Sequence, residues 1–123
     1  IYRTGVSHAR RFIAEATFSP QSGQPLIIYS QRYNSLPGYY RSFVRQHECC
    51  HHAAGGIASS DEIGVNCCAL RAMRLSRAGI ARIRNFSIAQ DINSLTSVDY
   101  PGQGQDFWRQ TEARCPGATK GQQ

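Results

Sequence analysis

Apolar and polar positions change rhythm along this chain. From Arg11 to Ser19 they alternate in part, with Phe12, Ile13, Ala14, Ala16 and Phe18 as the apolar members, which predicts a strand. Pro20-Gln21-Ser22-Gly23-Gln24 reads as a turn, and the β-rich run Pro25 to Ser30 as a second strand. A hairpin is expected, with Gly23 near its turn. From Tyr39 to Ala54 the rhythm becomes helical, with Phe43, Val44 and the stretch around Cys50 forming an apolar stripe. Ser35 with Pro37 is the expected start signal, and Gly55-Gly56 the stop. Ser59 or Ser60 is expected to cap the next helix, which runs to about Arg77 and closes at Gly79. A third helix from Ile80 to about Ser94 carries Ile80, Ile83, Ile88 and Ile92. Val98 to Gln105 reads as a loop and Phe107 to Arg114 as a short last helix. The expected fold is α+β, an N-terminal β-hairpin followed by three or four helices gathered on one side. Residues 1–116 are expected to form one domain and residues 117–123 a flexible tail.

Composition narrows the class. The chain of 123 residues is 41% hydrophobic and 18% charged, which suits a folded domain rather than a disordered one. No apolar run approaches the ~20 residues that span a bilayer. The net charge is +6, and thirteen of the fourteen basic residues are Arg, with Lys120 the exception. Arg71, Arg74, Arg77, Arg82 and Arg84 cluster without interleaved aromatics, so they read as a solvated helix face. Nucleic acid is therefore not an expected partner. The chain starts at Ile1 with no basic and apolar leader, so a processed chain is expected, its leader removed.

Five cysteines stand at 49, 50, 67, 68 and 115. Two adjacent pairs do not make a CxxC metal site. Neighbours on a helix point about 100° apart, so Cys49 and Cys50 reach different partners. Crossed helices carrying 49/50 and 67/68 can hold one bridge, Cys115 can pair with Cys50 or Cys68 or stay free, and one thiol is left over. An oxidising compartment follows from this usage.

The segment His47-Glu48-Cys49-Cys50-His51 contains H-E-x-x-H. On a helix, His47 and His51 lie one turn apart on one face and can ligate a single ion. Glu48 stands about 100° round from His47, beside such an ion, where a base for a bound water belongs. With four His and four Glu in the chain, chance yields the pattern in only about 0.4% of such sequences, but it needs a third ligand. Glu62 meets that need, in the first turn of the next helix beyond the Gly55-Gly56 break. Asn66, four residues on, shares its helix face and can accept a hydrogen bond from a ligand imidazole. Zn2+ is the expected cofactor, held between the two helices.

At these residues the sequence resembles gluzincin-type zinc metallopeptidases. In that type the second helix carries E-x-x-x-D, where Glu62 to Asn66 here reads E-x-x-x-N. The amide at Asn66 lacks the charge that would raise imidazole basicity. The chain also resembles small exported bacterial proteins with H-E-C-G-H-H followed by E-x-x-A-D-C, over roughly residues 25–75. That resemblance implies a bridge between Cys49 and Cys67, peptide hydrolysis on a peptide or protein substrate, and a secreted or periplasmic location. Tyr100, His52, Tyr29 and a nearby Arg are candidates to stabilise the oxyanion. The strand carrying Tyr29 can serve as an edge for extended substrate. His52 is expected off the metal, His8 on the surface, and Phe107 and Trp108 in the core. The alternative reading is a non-catalytic zinc-containing binding or interaction protein. Oligomeric state is not legible.

Overall fold

The computed structural model describes residues 3–7, 13–53, 61–90 and 104–121. The order is β1 (Arg3–Ser7), β2 (Ala14–Phe18), β3 (Pro25–Ser30), α1 (Gln31–Asn34), α2 (Gly38–Ala53), α3 (Glu62–Met73), α4 (Arg77–Ala89), α5 (Gly104–Arg114) and α6 (Pro116–Thr119). This is the α+β arrangement expected, an antiparallel hairpin followed by helices. Ala14 pairs with Tyr29 and Phe18 with Pro25. Gly23 turns the chain at φ 71°, a left-handed backbone that glycine adopts without Cβ strain.

The sheet has one strand more than the sequence suggests. β1 lies parallel to β3, Arg3 opposite Leu26 and Ser7 opposite Ser30, giving the order β1-β3-β2. β3 is therefore central and paired on both sides, which corrects the idea that Tyr29's strand offers an edge to substrate. The edge left over beside the helices is β2. Along β3 only Ile27 and Ser30 are buried, and the other positions are half-buried.

α2 follows the pattern closely. Its buried positions Tyr40, Phe43, Val44, His47 and His51 repeat at helical spacing, so the apolar stripe that docks the helix runs straight into the two histidines. Ile13, Ile27, Tyr40, Phe43, Leu70, Ile83 and Trp108 share one core, and Phe107 and Trp108 are buried as expected. Asp61 caps α3, its side chain accepting from the Gly64 N–H at 3.1 Å. The serines expected there, Ser59 and Ser60, and the Gly55-Gly56 stop lie outside the described residues. Arg114 Nη1 also donates to Asp61 Oδ1 at 3.0 Å, tying the start of α3 to the end of α5.

Two boundaries differ from expectation. The helix expected to reach Arg77 stops at Met73, where Arg74 turns left-handed at φ 51°. Ser76 then caps α4 by accepting from Gly79 N–H, so Gly79 lies inside a helix instead of closing one. Leu75 packs 3.2 Å from where a Cβ on Gly79 would sit, which is why a bare backbone suits that position. The segment after Cys115 is helical, not frayed: Ala118 is buried, and Gly121 lies against the backbone of Arg77 closely enough that a side chain there would collide. Arg71, Arg74, Arg77 and Arg82 are solvent-exposed, as a solvated helix face requires.

Two disulfides join Cys50 to Cys68 and Cys67 to Cys115, and Cys49 is free. The Cys49–Cys67 bridge implied by the resemblance is thus not formed. Cys49 lies one turn after Arg45, on the side of α2 that faces Tyr29. Cys50 is about 100° further round, facing α3. The bridges close 18- and 48-residue separations, worth roughly 3 and 4 kcal/mol by chain-entropy arguments. They fit an oxidising environment. Among the described residues no helix is long and apolar enough to cross a membrane. Cys49→Ser should change stability by less than about 1 kcal/mol. Thiol titration of the denatured, unreduced protein should count one thiol in the wild type and none in the variant; two or more in the wild type would contradict this pairing.

Candidate metal centre

The site sits where α2 crosses the start of α3. His47 and His51 project from adjacent turns of α2 with ring centroids 5.1 Å apart, both buried. Glu62, the first residue of α3, is delivered to them by the Asp61 cap. Its Oε1 lies 2.7 Å from His47 Nε2 and 3.2 Å from His51 Nε2. Zinc bonds of 2.0–2.1 Å in a tetrahedron put neighbouring donors about 3.3 Å apart; the His51–Glu62 separation matches that, and the shorter His47–Glu62 contact is a hydrogen bond that would lengthen around a shared ion. Glu48 joins from the same helix: the donor atoms of His47, Glu48 and His51 all lie within 4.8 Å of one another. This buried His-Glu-His group can hold a metal ion.

No protein-family model matches the chain, and no curated protein or solved structure is significantly similar to it. The chemistry of the site therefore rests on its own geometry.

Asn66 fixes the orientation of His47. Its Nδ2 donates to Thr111 Oγ1 at 3.0 Å, and Thr111 Oγ1 donates to the Phe107 carbonyl at 3.0 Å. Thr111 Oγ1 thus sits between the Asn66 amide and the Phe107 carbonyl. In this arrangement the Asn66 carbonyl faces His47. Asn66 Oδ1 lies 3.3 Å from His47 Nδ1, across the ring from the 2.7 Å contact of Nε2 with Glu62. Burial lowers the pKa of His47, against the opposing pull of Glu62, and so disfavours a second proton. Burial acts to raise the Glu62 carboxyl, but the imidazoles of His47 and His51 outweigh it and hold the group well below the usual carboxylate range. Two imidazoles and a carboxylate converging on one point make a donor set for a cation.

Glu48 is different. It is 0% exposed, and neither of its carboxyl oxygens has a hydrogen-bond partner among the described residues. Burial, reinforced by the charge of Glu62 and offset by the nearby Ala16 backbone, pushes its pKa up to about 9. A carboxyl group left in this way is costly to bury unless something at the site uses it.

The remaining candidates fall elsewhere. Tyr100 and His8 lie outside the described residues. His52 bonds through Nε2 to the Leu26 carbonyl at 3.2 Å and packs edge-on against Phe18, which ties α2 to the sheet. Tyr29 stacks on Tyr33 and neighbours Arg45, on the side of α2 away from the two histidines. Arg114, the Arg nearest in the fold to the start of α3, is paired with Asp61, the residue before Glu62. A cavity of about 430 Å³ between Leu70, Arg74, Ile80 and Ala118 lies at the far end of α3 and includes none of the donors. Thr111 is the residue that sequence reasoning missed. Its signal was available: it is a polar position in the buried stripe Phe107, Trp108, Thr111, Cys115 and Ala118.

Proposed function

We propose that this chain is a zinc metallopeptidase in which His47, His51 and Glu62 hold Zn2+ and Glu48 is the general base. The observation that carries the reading is Glu48, a fully buried carboxyl beside the two imidazoles, with the Ala16 backbone near it but no hydrogen bond within ordinary distance and angle among the described residues. A purely structural site has no use for it. Two nitrogens and one oxygen from the protein, with a fourth position open, suit catalytic zinc. When bound, zinc lowers the pKa of a coordinated water towards about 7 and polarises a carbonyl. With the charge of a bound cation beside it favouring its ionised form, Glu48 would take a proton from the attacking water and return it to the departing amine. Ala16 places β2, an edge strand of the described sheet, next to Glu48, and an extended peptide can add to such an edge. The two disulfides support an exported location, secreted or periplasmic.

A second reading, a non-catalytic zinc-containing binding protein, is favoured by one observation. The partner of His47 is the neutral amide of Asn66, not a carboxylate, and so does less to strengthen the imidazole as a ligand. The test is metal analysis of protein purified without chelator, followed by exposure to a peptide library. One zinc per chain is expected, lost in Glu62→Ala. Retention of full affinity by Glu62→Ala would remove the third ligand. A zinc-loaded wild type that cuts no peptide would leave the second reading standing.

A further inference from the structure

The corner between α3 and α4 holds a cavity that the metal centre does not use. Its volume is about 430 Å³, and the end of α3, the start of α4 and α6 form its walls. Leu70, Leu75, Ile80 and Ala118 line it with apolar side chains, and Arg71 and Arg74 are its charged residues. No acidic side chain is among the described residues that line it. The walls are fixed at both ends. α6 starts directly after Cys115, which is bonded to Cys67 on α3, and Gly121 lies against the backbone of Arg77 at the start of α4. The space is therefore pre-formed, and its size falls within the range of small-molecule sites.

The two arginines set the charge of a ligand. Both are exposed, and among the described residues neither is paired with a carboxylate. Arg74 has a left-handed backbone, φ 51° and ψ 45°, at a helix end where Gly or Asn is the usual residue. An Arg kept in that conformation brings a second guanidinium to the same cavity as Arg71. The carbonyl end of α3 and the amide end of α4 meet here and offset each other, so the side chains supply the net positive charge. A guanidinium fork matches a carboxylate.

The apolar walls set the rest. Leu70, Ile80 and Ala118 are otherwise buried core residues, and a small polar anion would leave them uncovered. A peptide would bring backbone N–H groups that such walls do not pair. We propose that this cavity binds an amphipathic monocarboxylate: an unbranched alkyl chain of about eight carbons on Leu70, Leu75, Ile80 and Ala118, with its carboxylate on Arg71 and Arg74. Leu70 stands about two helical turns beyond Glu62, so the site is separate from the metal centre.

Calorimetric titration of the disulfide-intact chain at neutral pH tests this. Octanoate should bind one per chain with a dissociation constant below about 1 mM. Octanol, the same chain without the charge, and acetate, the charge without the chain, should each bind at least about fivefold more weakly. Methyl NMR should place octanoate at Leu70, Leu75, Ile80 and Ala118. The double variant Arg71→Gln, Arg74→Asn removes both cations, and Asn tolerates the left-handed backbone. It should bind octanoate at least about fivefold more weakly than the wild type and octanol equally well. An octanoate dissociation constant above about 1 mM in the wild type would overturn the proposal, and so would smaller discrimination against octanol, acetate or the variant. Methyl shifts confined to another part of the fold would overturn the placement.

Discussion

Glu48→Gln should abolish peptide hydrolysis while leaving one zinc per chain, and should make the metal-free protein more stable at neutral pH. The first effect follows from losing the base: turnover should drop roughly a hundred- to ten-thousand-fold. The second follows from burial. Glu48 has an ordinary pKa of 4.5 and is pushed up to about 9 in the fold. A folded-state pKa above the unfolded one means that the group's contribution is complete below 4.5 and is lost as pH rises through about 9. Stability of the metal-free wild type should therefore decline across that window. Gln carries no charge to suppress, so the variant should lack this decline and gain up to ~3 kcal/mol at pH 7. Chemical denaturation at several pH values, with chelator present, measures it. Parallel pH profiles for the two proteins would show that Glu48 is not held protonated in the fold. Undiminished turnover in the variant would end its role as base.

Reduction of the disulfides should have the other large effect. Together the two bridges account for roughly 7 kcal/mol on chain-entropy grounds, against 5–15 kcal/mol for the net stability of a typical domain. They also cross-link the elements that build the site: Cys50 lies next to His51, and Cys67 next to Asn66. A dithiol reductant should lower the melting temperature by on the order of 20 °C, or unfold the chain outright at about 37 °C, with release of metal. Calorimetry with and without reductant, with metal release followed by a chromophoric chelator, would check both. A shift of only a few degrees with metal retained would show that the core, and not the bridges, holds α2 and α3 together.

The parts of this fold that the sequence reveals are those governed by near neighbours. The hairpin shows in the turn at Gly23 and the runs on either side. α2 shows in its helical spacing, and His47, Glu48 and His51 come with it because four residues make a turn. Glu62 is visible because a metal needs a third donor and the start of the next helix is a place to find one. What stays hidden depends on long-range contacts. β1 is a short run around Gly5 with little alternation, and it is a strand because β3 lies beside it. The break at Arg74 hides inside a stretch that is helical on both sides, and only Ser76 with Gly79 hints at a new start. The cysteine pairing turns on which of two neighbours faces α3, an angle that identity and spacing leave open. The role of Thr111 depends on meeting Asn66, which lies 45 residues earlier.

The free Cys49 beside a bridged Cys50 bears on how the protein is made. Five cysteines can form two bridges in fifteen ways, since any one of five can be left out and the other four pair in three ways. Cys49 and Cys50 offer rival thiols one residue apart, as do Cys67 and Cys68, so exchange between isomers needs little movement of the chain. In the fold, the packing of α2, α3 and α5 is what brings the native pairs together. Refolding from the reduced state should then be an isomerisation problem. Removing the Cys49 sulfur leaves three isomers to sort instead of fifteen.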